Sequence, residues 1–244
     1  MHITNCPFNL KSVDPSWYFA IENGLSAMDD HYLKQLASSH EWLPGPEKIF
    51  NAFSLPPAKV NYILFGESPY PRKASANGYA FWDADVHSLF SPTGLSKKVN
   101  RATSLRNILK MLLIAEGLLS PSDTSQEAIQ SIPKNHLIQT NEELFTHFIQ
   151  HGFLLLNTTP VLQASARQKD AKAWYPFMKE ILQNLLSEQK SVILIMLGKI
   201  SNIILPLIDQ KKVKILCAEH PYNLSFVTNS KMINFFSSIH LLLK

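Results

Sequence analysis

Four short apolar runs alternate with longer stretches of helical periodicity along this chain. The runs are Tyr62–Phe65, Phe153–Leu156, Val192–Leu197 and Lys214–Ala218, each followed by a glycine or a polar residue. Between them, apolar residues recur three and four positions apart, which is typical of amphipathic helices. Continuous apolar strands that alternate with helices indicate a parallel sheet covered on both faces. The pattern therefore predicts an α/β fold, a three-layer αβα sandwich around a central, mostly parallel four-stranded sheet.

The same pattern places the helices and the irregular stretches. A helix is expected to begin near Asp14, and Gly45 marks a break. Ser104 can cap a helix that runs to Leu113, and Asn141 opens another. Three later helices are predicted at about Trp174–Ser187, Ile200–Ile208 and Lys231–Leu243. The stretches with little periodicity, expected to be loops over the sheet edge or a surface connection, are 72–103 and 120–134.

Composition is that of a folded protein rather than a disordered one. The chain has 244 residues, of which 45% are hydrophobic and 17% charged, with no visible repeat or linker. These values predict a single domain over residues 1–244. The net charge of +4 is compatible with a polyanionic partner but does not require one.

The cysteine count and the apolar runs limit where this protein can work. The two cysteines, Cys6 and Cys217, are too few for a disulfide framework or a four-cysteine cluster, and are expected to be buried, reduced thiols. The longest apolar run, Val192–Leu197, is far shorter than the ~20 residues that cross a bilayer. No secretory signal is visible at the start. A cytoplasmic protein without a metal, a cofactor or a membrane partner is expected.

Chemically useful side chains follow three of the four strands. Glu67 and Ser68 come after the first strand, Asn157 ends the second and His220 follows the fourth. The carboxyl ends of parallel strands share one edge of a sheet, and ligands bind there. These side chains are therefore predicted to meet in one crevice. Taken singly, each has a plainer interpretation, such as Asn157 capping the next helix or turn and His220 being a structural histidine.

One group of segments occurs along nearly the whole chain: 49–53, 60–71, 78–81, 104–108, 154–158 and 220–225. In sequence and in order, these segments resemble those of the uracil-DNA glycosylase superfamily. Within the second segment, the loop Gly66-Glu67-Ser68-Pro69-Tyr70-Pro71 is similar to the family's water-activating motif. The resemblance implies an enzyme that hydrolyses the N-glycosidic bond of uracil, or of a related base, flipped out of DNA.

The resemblance also implies how the base is read. Asn157 would bond the pairing edge of uracil, because its amide offers both a donor and an acceptor. Phe81 would stack on the base, although Trp82 beside it could compete and Phe81 could simply be core. Tyr70 would exclude the methyl group of thymine, its plainer interpretation being a tyrosine packed in a turn. His220 would donate a hydrogen bond to the leaving base.

Further residues are implied to bind the DNA itself. Leu224 would fill the gap in the base stack as an apolar wedge. The other DNA-binding positions carried by the resemblance are Ser104, Lys199, Tyr222 and Ser225. DNA containing uracil or damage is the implied partner of a monomeric protein, with a proteinaceous glycosylase inhibitor as a second candidate partner.

The chain departs from the family's water-activating motif at three positions. Ser68 stands where the family has its catalytic Asp, Pro71 replaces a His, and Glu67 replaces a Gln. Glu67 and Ser68 are therefore the candidate catalytic residues of the loop, and only Glu67 carries a charge that could hold a water. Weak or altered hydrolysis is expected.

Two other functions stay open on the sequence. In the first, a catalytically impaired relative binds DNA or a base without hydrolysing it. In the second, the chain is a doubly wound hydrolase or nucleotide-binding protein unrelated to DNA. The sequence contains neither a Gly-rich phosphate loop nor a Gly-x-Ser-x-Gly elbow, which counts against the second.

Overall fold

A four-stranded parallel sheet forms the centre of the protein. The computed structural model describes residues 8–39, 41–189 and 191–244. In chain order its strands are β1 (Tyr62–Gly66), β2 (Phe90–Ser91), β3 (Gly94–Leu95), β4 (Phe153–Asn157), β5 (Ile193–Leu197) and β6 (Lys214–Ala218). The central sheet has the order β4-β1-β5-β6 with every pair parallel, while β2 and β3 form a separate short hairpin. All four predicted strands, and their parallel arrangement, are confirmed.

Helices cover both faces of this sheet. They are α1 (Tyr18–Ser26), α2 (Asp30–Ser38), α3 (Lys97–Arg101), α4 (Thr103–Ala115), α5 (Gln126–Gln130), α6 (Asn141–Gln150), α7 (Arg167–Glu188), α8 (Ile200–Ile204) and α9 (Ser230–Phe236). Within β1, Ile63 and Phe65 pack in one apolar cluster and Leu64 in a second, because successive side chains of a strand point to opposite faces. The first cluster contains residues of α1 and α7, and the second contains residues of α4, α6 and α9. The predicted three-layer sandwich is confirmed.

The loop region before α4 is more ordered than its sequence suggests. Residues 72–103 contain the hairpin and α3, and α5 lies inside the stretch 120–134 that was expected to be a plain connection. Ser96 caps α3 by accepting a hydrogen bond from the Val99 amide at 3.3 Å. Because α3 runs almost directly into α4, the residue before α4 is Ala102, and Ser104 lies inside the helix. The prediction that Ser104 caps this helix is therefore wrong.

Helix α7 begins seven residues before the predicted start. Its first turns are polar in sequence, but they are anchored by the fully buried Asp170, whose carboxylate accepts from Tyr32 Oη at 2.9 Å and from the Gln163 amide at 2.9 Å. A polar segment held by a buried acid looks like a loop to periodicity alone. Both α8 and α9 end earlier than predicted, and Pro206 follows α8 in a short 3₁₀ turn.

The prediction that the cysteines are buried is wrong for Cys217, the one that the structure describes. Cys217 lies on β6, an edge strand of the sheet, and is exposed. Cys6 lies outside the described residues. Among the described helices, none combines the length and the apolar character needed to cross a membrane.

Candidate functional site

A cavity of about 240 Å³ opens at the carboxyl edge of the sheet. It lies between the loop that follows β1, the segment around Phe81, the end of β4 and the residues after β6. The predicted site residues that line it are Glu67, Ser68, Tyr70, Phe81, Ser104, Asn157 and His220. The structure therefore brings together all the catalytic and base-binding candidates, together with Ser104.

Asn157 sits where two strands end side by side. It pairs in register with Gly66, and the following Thr158 amide donates to the Gly66 carbonyl at 2.9 Å. A Cβ atom on Gly66 would lie 2.4 Å from Asn157 Oδ1, so only glycine leaves room for this side chain. Asn157 is 3% exposed. Its side-chain amide makes no hydrogen bond to another residue in the described parts of the chain. It does not cap a helix, because α7 begins ten residues later.

The loop after β1 is held by its backbone. The Glu67 carbonyl accepts from the Thr159 amide and from Thr158 Oγ1, both at 3.0 Å. These bonds fix the loop while the Glu67 side chain stays exposed at the cavity. The Ser68 side chain is half-buried beside it. The cavity thus has one acidic side chain in its described lining, at the position next to the family's usual Asp.

Tyr70 and Phe81 form one wall of the cavity. Tyr70 Oη donates to the Phe81 carbonyl at 3.0 Å, and burial raises the pKa of the phenol, so Tyr70 is neutral. Phe81 has a φ of 62°, a left-handed conformation that is uncommon for a bulky residue. This turn aims Phe81 at the cavity and Trp82 at the core, where Trp82 stacks on Phe145 with a centroid separation of 5.5 Å. Of the two aromatic residues, Phe81 lines this cavity and Trp82 does not.

His220 faces the same cavity as a hydrogen-bond donor. Its Nδ1 accepts from the Tyr222 amide at 3.0 Å, which leaves the proton of the neutral ring on Nε2. Burial lowers the pKa of His220, and the Glu67 carboxylate opposes that shift. A Cβ on Gly198, whose φ is 69°, would lie 2.8 Å from His220 Cβ. Glycine at 198 therefore allows the histidine to pack closely against the end of β5.

The charge of His220 can be tested by titration. We expect its pKa to lie below the ordinary value of about 6.5, because the buried ring resists protonation. Glu67→Gln should lower this pKa further, since it removes the carboxylate that favours the imidazolium. NMR titration of the His220 Cε1–H resonance measures both values. The exposed His151, at the opposite end of the sheet, is the internal reference. A pKa that rises in the variant would contradict this electrostatic assignment.

The loop that carries His220 is braced from α4. Asn107, which is 1% exposed, donates from Nδ2 to the Pro221 carbonyl at 2.7 Å and to the Asn223 carbonyl at 3.4 Å. The braced loop presents two large apolar side chains to solvent, Tyr222 at 70% exposure and Leu224 at 72%. The sequence assigned no function to Asn107. The available indication was that Asn107 is a polar residue within the apolar pattern of α4.

Comparison with known proteins identifies the family. Residues 53–243 match the family model of the uracil DNA glycosylase superfamily. The chain belongs to this superfamily. A solved relative is the wild-type UNG of Nitratifractor salsuginis, which is 39% identical with a TM-score of 0.91, covering 96% of this chain and 94% of that one.

Curated relatives carry the same family name. The uracil-DNA glycosylase of Borreliella burgdorferi is 26% identical over 236 residues, covering 93% of this chain and 91% of its own. That of Lactobacillus helveticus is 30% identical over 195 residues, covering 78% and 69%. A mimivirus UNG variant solved in complex with UGI shares the fold, with 19% identity, a TM-score of 0.57, and coverage of 88% and 73%.

Four predicted DNA-binding residues of this superfamily member lie outside the cavity lining. Lys199 is exposed directly after Gly198, and Ser225 is exposed in the 3₁₀ turn that begins at Leu224. With Tyr222 and Leu224, they belong to the surface next to His220 and Gly198 rather than to the cavity itself. In the described parts of the chain, no group of three His, Cys, Asp or Glu side chains has the arrangement of a metal site.

Proposed function

We propose that this protein is a DNA N-glycosylase that releases uracil, or a closely related base, from DNA. One observation carries the proposal: a single small cavity combines the amide of Asn157, the ring of Phe81 and a neutral donor on His220. Membership of the uracil DNA glycosylase superfamily supports the same reaction. A monomeric state and a cytoplasmic location are part of the proposal.

Recognition would follow from the cavity walls. The unpartnered amide of Asn157 can accept from N3–H of uracil and donate to O4 at the same time. The Phe81 ring would stack on the base, and Tyr70 would occupy the space that the methyl group of thymine needs. Because the amide is nearly buried, a base that cannot pair with it would leave polar atoms without partners.

Hydrolysis would use the other side of the cavity. As the bond between C1′ and the base nitrogen breaks, its electron pair moves onto the base, and His220 Nε2–H donates to the base oxygen that gains charge. The sugar then resembles an oxocarbenium ion, which the Glu67 carboxylate stabilises. Glu67 also holds the attacking water. As the oxygen of this water adds to C1′, the Glu67 carboxylate accepts a proton from it. Ser68 is a hydrogen-bonding neighbour without charge.

Binding of DNA would use the exposed surface around the cavity. Leu224 and Tyr222 are large apolar side chains held in solvent by a braced loop, as an insertion into a base stack requires. Lys199, Ser104 and Ser225 can contact phosphates on either side. A proteinaceous inhibitor is a second partner class in this proposal, on the precedent of the mimivirus UNG variant in complex with UGI.

The test is release of free uracil from single-stranded and double-stranded oligonucleotides that carry one uracil. We expect the wild-type protein to release uracil from both. Leu224→Ala should slow release from the duplex by at least about 10-fold and from the single strand much less, because only the duplex must be unstacked. Thr228→Ala, an exposed change in the same 3₁₀ turn, is the matched control. Uracil-specific binding without any release would instead favour the impaired relative. The absence of both binding and release would refute the proposal.

A further inference from the structure

An ion pair that the proposed reaction does not use lies directly behind the cavity wall. Asp83 is an acid with 0% exposure, and its Oδ2 accepts from Arg72 Nη2 at 2.9 Å. The two side chains differ in exposure: that of Arg72 is 64% exposed and that of Asp83 is 1% exposed. A buried carboxylate that loses its partner is costly, typically by several kcal/mol. The pair therefore fixes where the loop carrying Arg72 can lie.

Asp83 ties several segments together besides this pair. Its Oδ1 accepts from the Asp85 amide at 3.0 Å, and its carbonyl accepts from Asn141 Nδ2 at 2.9 Å. On the other side, the Arg72 carbonyl accepts from the Ser75 amide at 3.0 Å. The loop after β1 and the segment around Phe81 are thus joined through side chains and backbone. Asn141, at the start of α6, anchors the joint to the core.

The two residues of the cavity wall stand two positions before the two members of the pair. Tyr70 precedes Arg72 and Phe81 precedes Asp83, and Tyr70 Oη is bonded to the Phe81 carbonyl at 3.0 Å. Phe81 is held at a φ of 62°, and such backbone strain persists only when the surroundings enforce it. The only side-chain bond between the wall residues is a single neutral hydrogen bond. Pro69 and Pro71 stiffen the turn at Tyr70, and the ion pair two residues further along joins this turn to the segment of Phe81.

We propose that the Arg72–Asp83 ion pair positions Tyr70 and Phe81 and thereby sets how strongly the cavity rejects bases with a 5-methyl group. This inference rests on the proposed function and names a specificity determinant within it. Tyr70 and Phe81 can exclude the 5-methyl group of thymine only if they keep their positions when the base presses against them. Without the pair, the loop carrying Tyr70 can move outward and admit thymine. Neither member of the pair is part of the cavity lining, so both are positioning residues.

The experiment compares uracil with thymine in otherwise identical oligonucleotides. Arg72→Met should reduce the ratio of kcat/KM for uracil to that for thymine by about 10-fold or more, while uracil release itself falls only a few-fold. Asp83→Asn should act in the same direction, and Arg72→Lys should restore part of the ratio, since a lysine can still pair with the carboxylate. Lys98→Met is the matched control, because it removes the exposed Lys98–Asp85 pair from the same segment and should leave the ratio unchanged.

A second readout separates this inference from the proposed function. Dissociation constants of free uracil and free thymine, measured by calorimetry, report on the wall without any hydrolysis. If the wild-type protein releases no base but Arg72→Met narrows the difference in affinity, the proposed function fails and the positioning role stands. Parallel losses for both bases, or an unchanged ratio in Arg72→Met and Asp83→Asn, would overturn the positioning role. Thermal unfolding of each variant identifies one that does not fold. Arg72→Met leaves the buried Asp83 carboxylate without its partner, whereas Asp83→Asn leaves no buried charge and is the variant expected to keep its fold.

Discussion

Glu67→Gln is expected to slow uracil release by roughly 10²–10⁴-fold, which is the usual contribution of a positioned acid–base group. Glu67 is the acidic side chain in the described lining of the cavity, and Ser68 cannot replace its charge. Glutamine keeps the size and the hydrogen-bonding capacity, so the loss reports on the charge. Single-turnover assays on a uracil-bearing oligonucleotide measure it. Binding of the uncleaved oligonucleotide should change little, because the DNA-binding surface is intact.

Ser68→Asp tests the same loop in the opposite direction. It restores a carboxylate at the position where the superfamily usually has one, and should raise the rate of the Glu67→Gln variant. Glu22→Gln, an exposed change on α1, controls for the loss of one negative charge. Release by Glu67→Gln at the wild-type rate would remove Glu67 from the mechanism. No gain from Ser68→Asp would mean that the loop has diverged at more than this position.

Asn157→Ala is expected to lower kcat/KM for uracil by about 30- to 10³-fold, because it deletes the two proposed hydrogen bonds to the base at ~1–2 kcal/mol each. The void beside Gly66 adds no new contact that could replace them. Steady-state kinetics on single-stranded DNA isolate this effect from duplex opening. The Asn184→Ala change on α7, outside the cavity lining, is the matched control. Undiminished activity in Asn157→Ala would show that the base is read by another group.

The strands and the convergence of the site were predictable because both follow from one property of parallel sheets. Four continuous apolar runs indicate buried strands, and the residues that end them must meet at one edge. Glu67, Asn157 and His220 could be grouped before any coordinates were known. The sequence could not decide whether Phe81 or Trp82 faces the cavity. The answer depends on a left-handed backbone conformation at Phe81, which apolar periodicity does not encode.

The roles that the sequence missed come from side-chain contacts that no local pattern encodes. Asp170 makes a polar segment helical by bonding Tyr32, which lies 138 residues away in sequence. Asn107 braces a loop more than a hundred residues further on. The Arg72–Asp83 pair lies in an aperiodic stretch, where spacing alone gives no sign that the two residues meet. Such side chains acquire their roles only from tertiary packing.

The brace from Asn107 has a consequence for how this loop can change. Asn107 bonds the carbonyl groups of residues 221 and 223 rather than any side chain of the loop. Every amino acid has a carbonyl group, so this brace from α4 does not depend on which side chains residues 222 and 223 carry. The side chains that this loop presents to solvent can therefore be exchanged one at a time while the backbone beneath them stays the same. This separation lets the large side chains of Tyr222 and Leu224 stand in solvent without displacing His220.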